Sequence, residues 1–145
     1  MSQTLEIEEL LREIHGDALK ELLMPAPSYA VMKCELVKFD KESSTLTIKI
    51  PVLESWLNPY STMQGGMIVA AIDNALGTLS MLLAQKNMTI NLESKFKKPV
   101  TMDLEYIYVT ASLLESKKRA LIFEVVVKDK EDNIYTTAKV TNLIV

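Results

Sequence analysis

The sequence predicts an α+β domain in which one antiparallel sheet of about six strands curves around a single long helix, with a helical extension at the N-terminus. Three observations carry this. Met67 to Ala84 is the one strongly helical apolar run, and it is apolar nearly all round, so a sheet must wrap it. From Tyr29 onward the remaining apolar pattern is that of strands. The order is two strands, the helix, then four strands whose short polar turns favour an antiparallel meander.

Taken in order, Ser2 or Thr4 caps a first helix whose apolar positions Leu5, Ile7, Leu10, Leu11 and Ile14 stop at Gly16, a residue suited to ending helices. Asp17 restarts a helix with Ala18, Leu19, Leu22 and Leu23 on its apolar side, and Met24-Pro25-Ala26-Pro27 ends it. Residues 1–28 thus form an extension and residues 29–145 the main domain. Ala30 to Phe39 and Thr45 to Val52 read as a hairpin around the polar turn Asp40 to Ser44, with Leu46, Ile48, Ile50 and Val52 on one face. After the helix, Thr89 to Lys98, Met102 to Leu114, Ala120 to Lys128 and Ile134 to Val145 read as strands. Pro99, the Glu115 to Arg119 charge cluster and Asp129 to Asn133 punctuate them.

The long helix has two unlike faces. Ile68, Ile72, Ala75, Leu79 and Leu82 form a bulky stripe, whereas Gly66, Ala70, Asp73, Gly77, Ser80 and Ala84 form a face of small residues that invites a close neighbour. Its length is near the lower limit for crossing a bilayer, but Asp73 and Asn74 at its centre argue for a buried core helix and against a membrane span.

Composition excludes several functions. A net charge of −3 and a pI near 5.2 leave no basic footprint for nucleic acid. One cysteine, Cys34, rules out an internal disulfide framework, and one histidine, His15, rules out a His-x-x-x-His metal site; no metal is expected. Enzyme chemistry here points to carboxylates. The opening MSQTLEIEEL is acidic and lacks the pattern of a secretory signal, so a cytoplasmic location is expected.

The central motif resembles that of the hot-dog acyl-CoA thioesterases, in the phenylacetate-degradation-type and 4-hydroxybenzoyl-CoA thioesterase-like branch. That family carries Asn, then His-Gly-Gly six residues on, then an acidic residue nine after the His; this chain has Asn58, Gln64-Gly65-Gly66 and Asp73. TINLESKFKKP, Thr89 to Pro99, is similar to the strand that follows, and the similarity runs from about Ala30 to Val145. The departure is Gln64 where the family has His. The resemblance implies a hot-dog fold, thioester hydrolysis with coenzyme A present only as part of the substrate, and a homodimer, with pairing to tetramers common.

Thioester cleavage needs a base or nucleophile at the carbonyl carbon and donors aimed at its oxygen. Gly65 and Gly66 open the helix, where unpartnered N–H groups and the dipole favour an oxyanion. Asp73 is either a general base for water or a nucleophile; the competing reading is a buried Asp bonded to backbone or Asn74. Gln64 can donate a hydrogen bond but cannot carry a proton. Asn58 either orients water or simply makes an Asn-Pro turn, and Thr89 either partners Asp73 or simply starts a strand. Lys95, Lys97 and Lys98, and separately Lys117, Lys118 and Arg119, are candidates for the coenzyme A phosphates or plain solvated charges. A non-catalytic acyl-thioester-binding hot-dog protein, and less so a dehydratase, stand as the other readings.

Overall fold

The computed structural model describes residues 3–145, so Ser2, one of the two expected caps, lies outside the described residues. Helix α1 (Gln3–His15) ends at Gly16, whose φ of +53° suits a residue without a side chain. The helix expected from Asp17 is instead a 3₁₀ turn, Gly16–Glu21, and Leu22 and Leu23 are exposed. A second departure follows: Pro27–Val31 forms a short helix α2, and strand β1 is confined to Glu35–Asp40. Proline at the first helical position is pre-set for a helix, which overrides the strand-like pattern at Ala30 and Val31.

Strand β2 (Thr45–Pro51) alternates as expected, with Leu46, Ile48 and Ile50 buried. Helix α3 (Gly65–Leu83) follows, then β3 (Asn87–Phe96), β4 (Tyr106–Lys117), β5 (Ala120–Lys128) and β6 (Ile134–Ile144). All six strands form one antiparallel sheet in the order β1-β2-β4-β5-β6-β3. The hot-dog architecture is therefore present, but the four-strand meander is corrected: only β4, β5 and β6 are consecutive neighbours. β3 pairs with β6, and β4 inserts beside β2, Val109 opposite Ile48. The cause is α3 itself, which carries the chain across the sheet to its far edge. The return path, with a 3₁₀ turn at Met102–Leu104 where strand was expected, is too long for a hairpin. The Glu115 to Arg119 cluster does not break β4, which runs through Lys117 to a tight turn.

The concave side of the sheet buries Ile68, Ile72, Ala75, Leu76, Leu79 and Leu82 of α3 against Phe123, Val109, Val125 and Val140. The N-terminal helices cover a second side: His15 Nε2 lies 2.8 Å from the Met81 carbonyl, and Ser28 Oγ donates to Asn74 Oδ1 at 3.1 Å. Among the described residues α3 is the helix long and apolar enough to cross a bilayer, and it is the one the sheet wraps. Its third side, bearing Gly66 and Asp73, is left open.

Candidate active site

Asp73 is exposed on α3, and the Thr89 hydroxyl of β3 donates to its Oδ1 at 2.9 Å. The buried-aspartate reading therefore does not hold for this chain. Asn74 turns the other way, toward Ser28 and the Met32 sulfur. The β3–β6 register, Thr89 opposite Asn142, sets the hydroxyl over the helix, so a residue sixteen positions downstream meets the carboxylate because the helix sends β3 to the sheet edge beside it.

At the start of α3 the Met67 and Ile68 N–H groups both return to the Gln64 carbonyl, at 2.9 and 3.1 Å. The N–H groups of Gly65 and Gly66 precede those bonds, and Gln64 makes no side-chain cap. They are positioned to donate to an anion, with the helix dipole behind them. The two glycines are small for different reasons. A Cβ on Gly65 would stand 3.3 Å from the Phe96 ring, whereas one on Gly66 would meet only Gln64 Oε1, at 3.6 Å. Gln64 thus folds its amide back beside Gly66.

Asn58 uses its amide on its own loop: Oδ1 accepts from the Tyr60 and Thr62 N–H groups, and Nδ2 donates to Thr62 Oγ1 at 2.8 Å. That is the geometry of a turn organiser. It holds the loop that delivers Gln64 to the helix start, where the Gln64 N–H bonds to the Trp56 carbonyl.

A cavity of about 230 Å³ lies beside Gly65, bounded by Thr62, Ile68, Phe96, Lys97 and Lys98. Lys97 and Lys98 are held there by N–H bonds to the Tyr135 carbonyl, with Lys98 Nζ 5.7 Å from the Tyr135 ring centre. Lys95 lies elsewhere, bordering a groove with Glu93, Glu124 and Lys139. Lys117 faces Glu115 at 3.7 Å, and Arg119 donates to the Ile144 carbonyl at 3.1 Å. Ile144 pairs with Asn87, near the C-terminal end of α3, so the two basic clusters occupy opposite ends of the sheet. Phe96 is the contact that sequence reasoning passed over. It stands in the TINLESKFKKP run, and only the fold places its ring on Gly65.

The arrangement joins a carboxylate with a free oxygen and an uncapped helix N-terminus on one helix, the two parts needed for attack on a carbonyl. The family model described as thioesterase superfamily matches residues 60–136, more than half of the 145-residue chain. No curated protein sequence matches it. Among similar solved structures is a phenylacetic acid degradation-related protein of Ralstonia eutropha, 19% identical, with a TM-score of 0.78 over 93% of this chain and 98% of that one. The PaaI protein of the E. coli phenylacetic acid degradation operon is 11% identical, with a TM-score of 0.78 over 96% of each chain. A Streptococcus mutans protein solved bound to acetyl-CoA is 17% identical, with a TM-score of 0.71 over 77% of this chain and 88% of that one.

Proposed function

The chain belongs to the thioesterase superfamily, and from that premise we propose that it hydrolyses a coenzyme A or acyl carrier protein thioester whose acyl group is apolar or aromatic. The observation that carries this reading is the exposed Asp73 carboxylate held at 2.9 Å by Thr89. Thr89 occupies Oδ1 and leaves Oδ2 to take a proton from water or to attack directly. As base, Asp73 removes the proton as the water oxygen bonds to the carbonyl carbon, and the carbonyl oxygen becomes an oxyanion held by the Gly65 and Gly66 N–H groups. Collapse breaks the carbon–sulfur bond, and the thiolate recovers the proton. As nucleophile, Asp73 attacks the carbonyl carbon and expels the thiolate, leaving a mixed anhydride; water cleaves that to the acid and the free Asp73 carboxylate, and the proton it releases goes to the thiolate.

Gly66 and Asp73 are seven residues apart on one helix, hence about 10 Å along its axis, whereas a carbonyl carbon and its oxygen are about 1.2 Å apart. That separation favours a site whose two groups come from different chains. We therefore read the active unit as a homodimer, with dimers of dimers as the further step, in which Asp73 of one chain faces the glycines of the other. Two features support this reading. β3 is an edge strand with Met88 and Ile90 exposed, and a Cβ at Gly77 on the open face of α3 would meet no described residue within 4 Å. Lys97 and Lys98, beside Gly65, suit the coenzyme A phosphates; in the dimer, Lys95, Lys117, Lys118 and Arg119 are proposed as further contacts from the second chain.

A panel of acyl-CoA substrates assayed with a thiol reagent tests the reading, and turnover of one or more is the expected result. The second reading, binding without turnover, is favoured by Gln64 standing where the family has His. Tight binding with no released thiol across the panel would decide for it. The Gln64→His variant is expected to fold and to raise kcat, by as much as about 10² if an imidazole there carries a proton. Loss of activity would mean instead that the site is built around the glutamine.

A further inference from the structure

Between the N-terminal helices and the C-terminal half of α3 lies a cavity of about 210 Å³ walled by Ile7, Leu11, Met24, Leu36, Met81 and Leu82. Its polar neighbours do not make it a water site. Thr78 Oγ1 is already bonded to the Asn74 carbonyl at 2.9 Å, and burial, with smaller contributions from the charges of Cys34 and Glu35, pushes the Tyr29 phenol up to about 12. The pocket is partly open, with Met24 and Leu36 exposed at its mouth, and its apolar lining favours an apolar guest; a cavity of about 150 Å³ holds benzene, so this one has room for about eight carbon atoms.

Its position relative to Asp73 says which guest. Asp73, Gly77 and Met81 stand at i, i+4 and i+8, one row along the helix surface. Gly77 has no side chain, and no described residue lies within 4 Å of where its Cβ would be, so the surface between the exposed carboxylate and the cavity wall is unobstructed there. Asp73 to Met81 spans about 12 Å along the axis. An aryl group one carbon from the carbonyl would stop short, while an extended alkyl chain of about ten carbon–carbon bonds of about 1.5 Å covers it.

We infer that this cavity receives the distal end of the acyl chain of the thioester bound at Asp73, across Gly77, which makes the substrate a straight-chain acyl thioester of about twelve to eighteen carbons, about ten to reach the cavity and up to about eight inside it. The inference rests on the hydrolase reading for the position of the carbonyl, but it is testable without turnover. S-methyl-, S-octyl- and S-tetradecyl-coenzyme A are thioethers that cannot be hydrolysed, and calorimetry measures their binding to the intact protein. Affinity is expected to rise by up to about fourfold per methylene once the chain reaches the cavity, and S-tetradecyl-coenzyme A to bind at least about 10² tighter than the S-methyl compound. Ala26→Trp, which puts an indole on the cavity wall, should cut that gain at least about tenfold. Met81→Ala, which enlarges the cavity, should move the best-bound chain about two carbons longer. A gain that is absent, or equal in wild type and both variants, overturns the inference. Turnover of acyl-CoA substrates with no chain-length gain in binding sinks the cavity and leaves the hydrolase standing. A gain that the variants alter, with no turnover of any substrate, does the reverse.

Discussion

Asp73→Asn lowers kcat by about 10² to 10⁴, the range spanned by loss of a general base. The substitution keeps the side-chain shape, and the amide oxygen still accepts the Thr89 hydroxyl that now stands 2.9 Å from Oδ1. Asp73 is exposed and takes no part in the core, so the cost in stability should fall within about 0.5 kcal/mol. The measurement is steady-state kinetics on an acyl-CoA beside a thermal melt. An enzyme that loses rate but keeps its Tm has lost chemistry; one that loses both has lost its fold. Thr89→Ala should cost less than Asp73→Asn, because it frees the carboxylate without removing its charge. A rate unchanged in Asp73→Asn removes Asp73 from the mechanism, whichever of base or nucleophile it was taken to be.

Two separately inactive chains should restore activity to one another. Gly66→Val crowds the approach to one oxyanion donor and is expected to cost about 10² to 10³ in kcat. Its Cβ stands in ordinary contact with the Gln64 amide, 3.6 Å from Oε1, and clashes with no described residue of its own chain. In a dimer whose sites combine Asp73 of one chain with the glycines of the other, a hybrid of Gly66→Val and Asp73→Asn chains has one doubly damaged site and one intact site. Random pairing then recovers about a quarter of wild-type sites, far above either parent. Light scattering at micromolar concentration should show no monomer in the wild type or either variant. Co-refolded chains that stay as inactive as their parents would place both groups of each site in a single subunit, against the roughly 10 Å helical separation argued above. A stable, active monomer would sink the shared site altogether.

The elements of this protein were legible wherever the signal was local. The α3 stripe of Ile68, Ile72, Leu79 and Leu82 and the β2 alternation of Leu46, Ile48 and Ile50 are periodicities written in neighbouring residues, and each is buried as its pattern requires. Where a local rule competed with periodicity, the reading slipped. Pro27 started a helix across Ala30 and Val31, and a 3₁₀ turn replaced strand at Met102–Leu104. The candidate site divides the same way. Gly65-Gly66 and Asp73 stand out within the helical run itself, and Asn58 and Gln64 through the resemblance to the family motif. That Phe96 covers Gly65 and that the two lysine-rich clusters sit at opposite ends of the sheet have no such signature, and at Thr89, where partnering Asp73 and starting a strand both stood open, the fold decides for the pairing.

The sequence by itself determined that one apolar helix would be wrapped by strands and that its first turn would be two glycines, because helix and strand periods and the absence of a side chain are properties of adjacent residues. Only the tertiary structure decided that β3 lies at the far edge against β6, that β4 returns to β2, and that the Asp73 face of α3 stays open while the N-terminal helices roof a cavity along its neighbouring side. Strand pairing is a choice among edges far apart in the chain, each offering the same backbone donors and acceptors, and it is settled by where the crossing helix delivers the next strand.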